Sequence, residues 1–135
     1  MANLAERSRR GEPTQAYTPP GWPARVRPPN TPDWESTGAA FLLDCCPSDY
    51  RGYPVLRRHP VVLARFAAEF VESQVRASAD GLAGVRTSLA DYVAPEVVQS
   101  AAEAWAEQAA RLVRLRREVG LVEEALRGKV FVRKL

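Results

Sequence analysis

The residues best suited to chemistry lie at the two ends of one connection. Cys45 and Cys46 follow Asp44 at its start, and His59, the only histidine, lies at its end. A thiol near an imidazole can act as a nucleophile with its general base, and thiols with an imidazole can bind zinc. However, adjacent cysteines rarely both bind one tetrahedral ion, and no Cys-x-x-Cys pair is present. The simpler interpretation is that His59 ends the connection before Pro60 and that one cysteine is a small buried apolar residue.

Other motifs for catalysis or cofactor binding are absent from the sequence. It has no glycine-rich phosphate loop, no Walker motif and no Ser/His/Asp pattern. We therefore expect a protein that is not an enzyme, with no catalytic residue, no metal site and no cofactor.

The most distinctive run is YRGYPVLRRHP at residues 50–60. Exposed tyrosine and arginine side chains suit recognition of a protein surface or of a phosphate-bearing partner, and connections often carry binding residues. The alternative is that the tyrosines pack across the end of a bundle while the arginines are solvated; the many turn formers favour this structural interpretation. An aromatic residue in the proline-rich N-terminal segment can also anchor it against a surface. The candidate partner-binding residues are Trp22, Tyr50, Arg51, Tyr53, Arg57, Arg58 and His59.

Helical spacing of apolar residues predicts the elements that position this run. A first helix is expected to begin at Thr31 as its cap and to stop at Pro47. A long helix should run from Pro60 to about Asp91, with a bend allowed by its two glycines. A third should run from Pro95 to about residue 127, because Gly128 is placed to end it. Its residues expected to face the second helix are Val98, Ala102, Trp105, Ala109, Leu112, Val119, Val122 and Leu126.

These elements predict an all-α fold. The two long helices should form an antiparallel hairpin with coiled-coil-like spacing, and the shorter first helix should pack on it to give a three-helix bundle over residues 31–135. The segment 130–132 could pair with 54–57 as a very short strand pair. The first helix, at about 21 Å, covers less than half of a hairpin about 48 Å long. Part of the apolar stripe is thus left either as a narrow two-helix seam or for another chain to cover.

The N-terminal region differs in composition from the rest. Seven of the eleven prolines fall within the first 32 residues, which predicts an extended, disordered Pro- and Arg-rich arm over residues 1–30. The arm carries five arginines against two glutamates, a net charge of +3, so the remainder is neutral. A basic arm can meet an acidic protein, nucleic acid or an anionic lipid equally well.

The composition of the whole chain also indicates where in the cell the protein is expected. No apolar run approaches the ~18 residues needed to cross a bilayer, and the charged first ten residues lack the apolar core of a secretory signal. Two adjacent cysteines cannot build a disulfide framework. These features favour the cytoplasm and no membrane association.

Nucleic acid is the alternative partner. Basic residues cluster on the third helix and near the terminus, namely Arg111, Arg114, Arg116, Arg117, Arg127, Lys129, Arg133 and Lys134. They could contact phosphates together with the arm. Glutamates interleave with them, however, and no helix-turn-helix, zinc-finger or RNA-binding signature is present, so a solvated face is the better interpretation.

Three runs carry a family resemblance: FLLDCCPSDY at residues 41–50, YRGYPVLRRHPVVLARF at 50–66 and EEALRGKVFVRKL at 123–135. Over residues 19–135 the chain resembles a family of short uncharacterised proteins from high-GC Gram-positive (actinobacterial) bacteria. The resemblance implies a bacterial cytoplasmic setting and carries no activity or site to transfer.

The sequence therefore predicts a small helical protein that acts through protein–protein interaction, as an adaptor, an accessory protein or a self-associating subunit. Its partner would be another protein or a second copy in a homodimer. A small basic nucleic-acid-associated accessory protein is the alternative.

Overall fold

The computed structural model describes residues 16–134, which contain four α-helices and no strand. The helices are α1 (Trp34–Cys45), α2 (Pro54–Arg58), α3 (Pro60–Leu89) and α4 (Pro95–Leu126), and a 3₁₀ helix (Ser48–Gly52) lies between α1 and α2. The predicted all-helical class is confirmed for this part of the chain.

The two long helices, α3 and α4, pack against each other along their lengths. Near the five-residue connection between them, Arg86 donates a hydrogen bond to the Gln99 side chain at 2.9 Å. Farther away, the Arg116 guanidinium lies 3.3 Å from the Glu72 carboxylate. Both helices begin with proline, whose missing N–H is not needed in the first turn. As expected, α3 is continuous through both of its glycines.

The core lies at the end of α3 and α4 that is remote from their connection. There α1 packs against both long helices, and α2 contributes Leu56. Gly38 faces α4, since an added Cβ would make ordinary van der Waals contact with Val122 Cγ1 at 3.6 Å. The fully buried Leu42 and Leu63 each stabilise the fold by roughly 2 kcal/mol relative to exposure.

The N-terminal boundary predicted at residue 30 is wrong. Residues 16–30 pack on the helical domain: Val26 is only 3% exposed, and Pro23 is fully buried. Trp22 Nε1 donates to the Val26 carbonyl at 3.0 Å, and the Arg27 N–H donates to Thr37 Oγ1 at 3.0 Å. Proline rings are apolar and leave few backbone donors to satisfy, so a proline-rich segment can cover a core without regular structure. The rest of the predicted arm, residues 1–15, lies outside the described residues.

Two local predictions also fail. Thr31 does not cap α1, because its hydroxyl donates to the Pro28 carbonyl and the helix begins at Trp34. No strand pair joins 54–57 to 130–132, since 54–57 belongs to α2 and Phe131 packs on Trp22 instead. At the end of α4, Gly128 has φ of +100°, a left-handed conformation that favours glycine, and the predicted helix end is confirmed.

Candidate functional site

Four aromatic rings from the 3₁₀ helix, the residue after it and the start of α3 form one cluster, here called the aromatic corner. The ring of Tyr50 lies 5.8 Å from Phe66, 6.3 Å from Phe70 and 6.1 Å from Tyr53, measured between centroids. Tyr53 and Phe66 remain 48% and 42% exposed. A depression of about 430 Å³ lies beside Tyr50 and the two phenylalanines, between Arg65 and Glu69. The packing of Tyr50 agrees with the structural interpretation of the 50–60 run. The exposed rings of Tyr53 and Phe66 leave an aromatic surface open to solvent.

Arg51, predicted to bind a partner, is engaged within the fold. Its guanidinium lies 2.6 Å from a carboxylate oxygen of Asp44, and Arg25 lies 3.2 Å from the other oxygen. The hydrogen bond from Arg51, with the positive charges of both arginines, lowers the pKa of Asp44 below its usual value despite some desolvation. This cluster ties the N-terminal segment and the 3₁₀ helix to the end of α1.

The remaining predicted residues separate into two places. Arg57, Arg58 and His59 are exposed on α2 and at its end. Trp22 packs elsewhere, with its ring centroid 6.1 Å from both Trp34 and Phe131. The structure thus brings Tyr50, Arg51 and Tyr53 together and assigns Trp22 to internal packing. Whether any of these residues contacts a partner stays a prediction.

The two cysteines are free thiols in half-buried positions. Burial raises the pKa of Cys45 to about 12 and that of Cys46 to about 11, so both thiols are protonated and poorly nucleophilic near neutral pH. Within residues 16–134, no three His, Cys, Asp or Glu side chains are grouped so that they could hold a metal ion.

A groove continues along α3 and α4 where α1 ends. Its first part, about 530 Å³, lies between Arg25, the last turn of α1 and the two long helices. The second part, about 260 Å³, is called the distal groove. It is lined by Gln74, Ala77, Ser78, Trp105, Gln108 and Leu112. Gln74, Gln108 and Leu112 line both parts, so the two are adjacent.

The distal groove contains a buried polar group without a partner. Ser78 is 7% exposed, and its hydroxyl makes no hydrogen bond to any described residue. A buried hydroxyl left in this state costs about 1–3 kcal/mol. Ser78 is also the residue that interrupts the apolar series of α3, which is the one sequence signal for this site.

Trp105 forms one wall of the distal groove. Its indole lies directly over Gly81, where an added Cβ would overlap the ring. It faces α3 as the sequence predicted, yet it remains 39% exposed. One helical turn beyond Gly81, Gly84 has open space above it. The sequence pattern indicated only that these glycines weaken the helix; it gave no sign that Gly81 admits a large ring.

Charge is distributed unevenly between the two ends of α3 and α4. Residues 77–110, here called the distal half, carry five carboxylates and one arginine, a net charge of −4. Residues 111–134 carry eight cations and three carboxylates, a net charge of +5. Among the described residues, none of the five distal carboxylates lies within 4 Å of a cationic nitrogen. The five are Asp80, Asp91, Glu96, Glu103 and Glu107.

Several of the basic residues proposed for phosphate contacts are engaged within the fold. Arg116 pairs with Glu72, and Arg127 pairs with Glu123. Arg117 donates to the Pro20 carbonyl at 3.2 Å. These contacts reduce the number of cations that a phosphate backbone could use.

None of the helices in residues 16–134 has both the length and the apolar character needed to span a membrane. Comparisons with protein-family models, with curated proteins and with solved structures found no match to this chain.

Proposed function

We propose that this protein acts through protein–protein interaction and that the distal groove receives a helical segment. The observation that carries the proposal is the incomplete cover of α3 and α4: α1 is 12 residues long, about 18 Å, against about 48 Å for α4. The groove continues the path of α1 beyond Cys45. A further helix placed there would cover the open seam.

In this proposal α3 and α4 act as an antiparallel hairpin, and α1 is the third helix of a bundle at one end only. The other end is a two-helix platform of the kind that amphipathic helices bind. Its surface suits close helix approach, because Ala77 is small and Trp105 offers an exposed aromatic wall. Aromatic residues of this type are frequent energetic centres of interfaces. The bacterial cytoplasm implied by the sequence resemblance is the proposed setting.

The alternative, binding of nucleic acid, would use the basic residues of α4 and the C-terminal segment. It has less support, because Arg116, Arg117 and Arg127 already make contacts inside the fold. Titration with DNA and RNA at low salt tests it, since phosphate contacts are strongest there.

The test of the proposed function uses the full chain as bait for a displayed library of amphipathic helical peptides. Two variants are screened in parallel. Ala77→Arg places a long charged side chain in the distal groove. Ala83→Arg makes the same change at another exposed position of α3 that does not line the groove, so it controls for added charge and altered helix stability.

The expected result is enrichment of helices that bind the wild type and Ala83→Arg and lose at least tenfold in affinity for Ala77→Arg. A tenfold loss corresponds to about 1.4 kcal/mol, which one obstructing side chain in a narrow groove supplies. Helices that bind all three proteins equally, or no enrichment at all, would refute the distal groove as the binding site.

A further inference from the structure

We propose that the helix received by the distal groove is cationic, with lysine or arginine side chains along both of its flanks. This inference rests on the proposed function and names the chemistry of the partner for the same site. The side chains that line the distal groove are all uncharged, so the lining selects the shape of an occupant and not its charge. The charge is selected by the residues that border the groove on each helix.

Two exposed carboxylates border the groove along α3. Asp80 lies three residues after Ala77, which lines the groove, and residues three apart share one side of a helix. Asp91 lies three turns farther on the same side, just past the end of α3. Gly84, between the two, has open space above it. This border of the groove is therefore acidic over ~16 Å.

A second pair of exposed carboxylates borders the groove along α4. Glu107 lies next to Gln108, which lines the groove. Glu96 lies three turns before Glu107 on the same side of α4, in its first turn. An occupant of the groove is therefore flanked by carboxylates on both sides.

The contact between Trp105 and Gly81 fixes the relative levels of the two borders. It places Asp80 beside the turn of α4 that carries Glu107. The other two carboxylates lie at the ends of α3 and α4 that are joined by the short connection. The four carboxylates thus face an occupant as two opposed pairs, one pair at each end of the open seam.

No cation in residues 16–134 neutralises these carboxylates. None of the four lies within 4 Å of a cationic nitrogen. The one cation of the distal half, Arg86, donates its hydrogen bond to a glutamine. Arg25 and Arg111 line only the first part of the groove, where Asp44 and Glu118 balance them.

The uncompensated charge decides between occupants. A cationic helix gains attraction along both flanks, whereas an acidic helix is repelled. The distal half of a second copy carries the same net charge of −4 and is repelled as well.

The open length sets the size of the occupant. From Ala77 to the end of α3 at Leu89 the seam is 13 residues long, or ~20 Å. A helix of about 14 residues, four turns, covers it. Its apolar stripe faces Ala77 and Trp105, and the long stems of lysine or arginine on each flank carry their charges out to the bordering carboxylates.

The experiment presents the full chain with a displayed library of amphipathic helices of about 14 residues. The apolar stripe is varied among small and large apolar residues, and each flanking position is lysine, glutamine or glutamate at equal frequency. Lysine should be enriched at the flanking positions of helices that bind the wild type and Ala83→Arg but not Ala77→Arg. Because the last two proteins carry the same added charge, the comparison isolates the groove.

A selected helix is then titrated against Asp80→Asn, Glu107→Gln and the double variant. The matched control is Glu35→Gln, which removes the same charge from an exposed position of α1 at the far end of the molecule. All three side chains are exposed, and unchanged thermal unfolding confirms that each variant folds. Each single variant should weaken binding about threefold and the double variant about tenfold, as expected for exposed ion pairs. Glu35→Gln should bind like the wild type.

Ionic strength gives an independent readout. Raising it from about 0.1 M to about 1 M shortens the screening length from ~10 Å to ~3 Å, so binding to the wild type should weaken and the difference between the wild type and the double variant should shrink.

Two results overturn the inference while the proposed function stands: groove-dependent helices whose flanks are enriched in glutamine or glutamate, and a lysine-flanked helix that binds the double variant as tightly as the wild type. If no helix distinguishes Ala77→Arg from Ala83→Arg, the proposed function and the inference both fall.

Discussion

The contact between Trp105 and Gly81 makes opposite predictions for two similar substitutions. Glycine in a helix interior is about 1 kcal/mol less favourable than alanine. Gly120→Ala in α4 should therefore stabilise the protein by about 1 kcal/mol, because the added Cβ meets nothing within 4 Å. Gly81→Ala gains the same helix propensity but must displace the indole.

The cost of displacing the indole follows from its burial. Trp105 is 39% exposed, so about 150 Å² of its surface is covered. Losing half of that cover costs about 2 kcal/mol at 25 cal/mol per Å². Gly81→Ala should therefore destabilise the protein by about 1 kcal/mol, which places it about 2 kcal/mol below Gly120→Ala.

The assay is urea denaturation of both variants, repeated in a Trp105→Ala background at a concentration where the chain is monomeric. Without the indole, Gly81→Ala should become stabilising by about 1 kcal/mol, and the double-mutant cycle then reports the contact itself. Equal stabilisation by Gly81→Ala and Gly120→Ala in the presence of Trp105 would refute the proposed packing.

Three further predictions concern the end of α3 and α4 that is remote from their connection, where α1 and the N-terminal segment pack. Trp22→Ala should lower the free energy of unfolding by about 2–3 kcal/mol, because it removes two aromatic contacts and the hydrogen bond to the Val26 carbonyl; an unchanged urea midpoint would mean that the N-terminal segment is not part of the domain. The pKa of Asp44 is lowered in the folded state, chiefly by Arg51, so its contribution to stability is present above the ordinary value of 3.8 and is lost as the pH falls through the folded value. Asp44→Asn should accordingly destabilise the protein at pH 6 and make no difference at strongly acidic pH, and a pH-independent difference in thermal unfolding would contradict the ion cluster. Because burial raises the pKa of Cys45 to about 12 and of Cys46 to about 11, both thiols should alkylate far more slowly in the native protein than in urea at pH 8; equal rates by mass spectrometry would show that they are accessible.

The long helices were predictable because their signals are local. Apolar residues recur at helical spacing, and proline and glycine mark the ends, so the bounds of α3 and α4 follow closely from the sequence. The start of α1 was not predictable in the same way. Thr31 has the right side chain for a cap, but its hydroxyl is used by the preceding turn.

The packing of the N-terminal segment depends on contacts distant in sequence. Trp22 lies against Phe131, which is more than a hundred residues away in the sequence, and no local sequence pattern indicates this contact. Proline content alone predicted an extended arm, because it reports the lack of regular structure and not the burial of proline rings. Composition therefore misplaced the domain boundary.

The uncovered seam was predictable in outline but not in detail. Unequal helix lengths indicated that part of the stripe would remain open, and the groove beyond α1 agrees with that expectation. Its central features depend on the register between α3 and α4, which places Trp105 over Gly81 and beside Ser78. Register is set by the packing of both helices together and cannot be derived from either one alone.

The central claim is that the protein binds its partner at the distal groove, and Trp105 reports on that site directly. Fluorine NMR of protein labelled with 5-fluorotryptophan gives a separate signal for each of the three tryptophans, which Trp105→Phe assigns. The signal of Trp105 should shift when a library-selected helix is added, while those of Trp22 and Trp34, which pack at the far end, should stay in place. Association that leaves the Trp105 signal unchanged would contradict the claim.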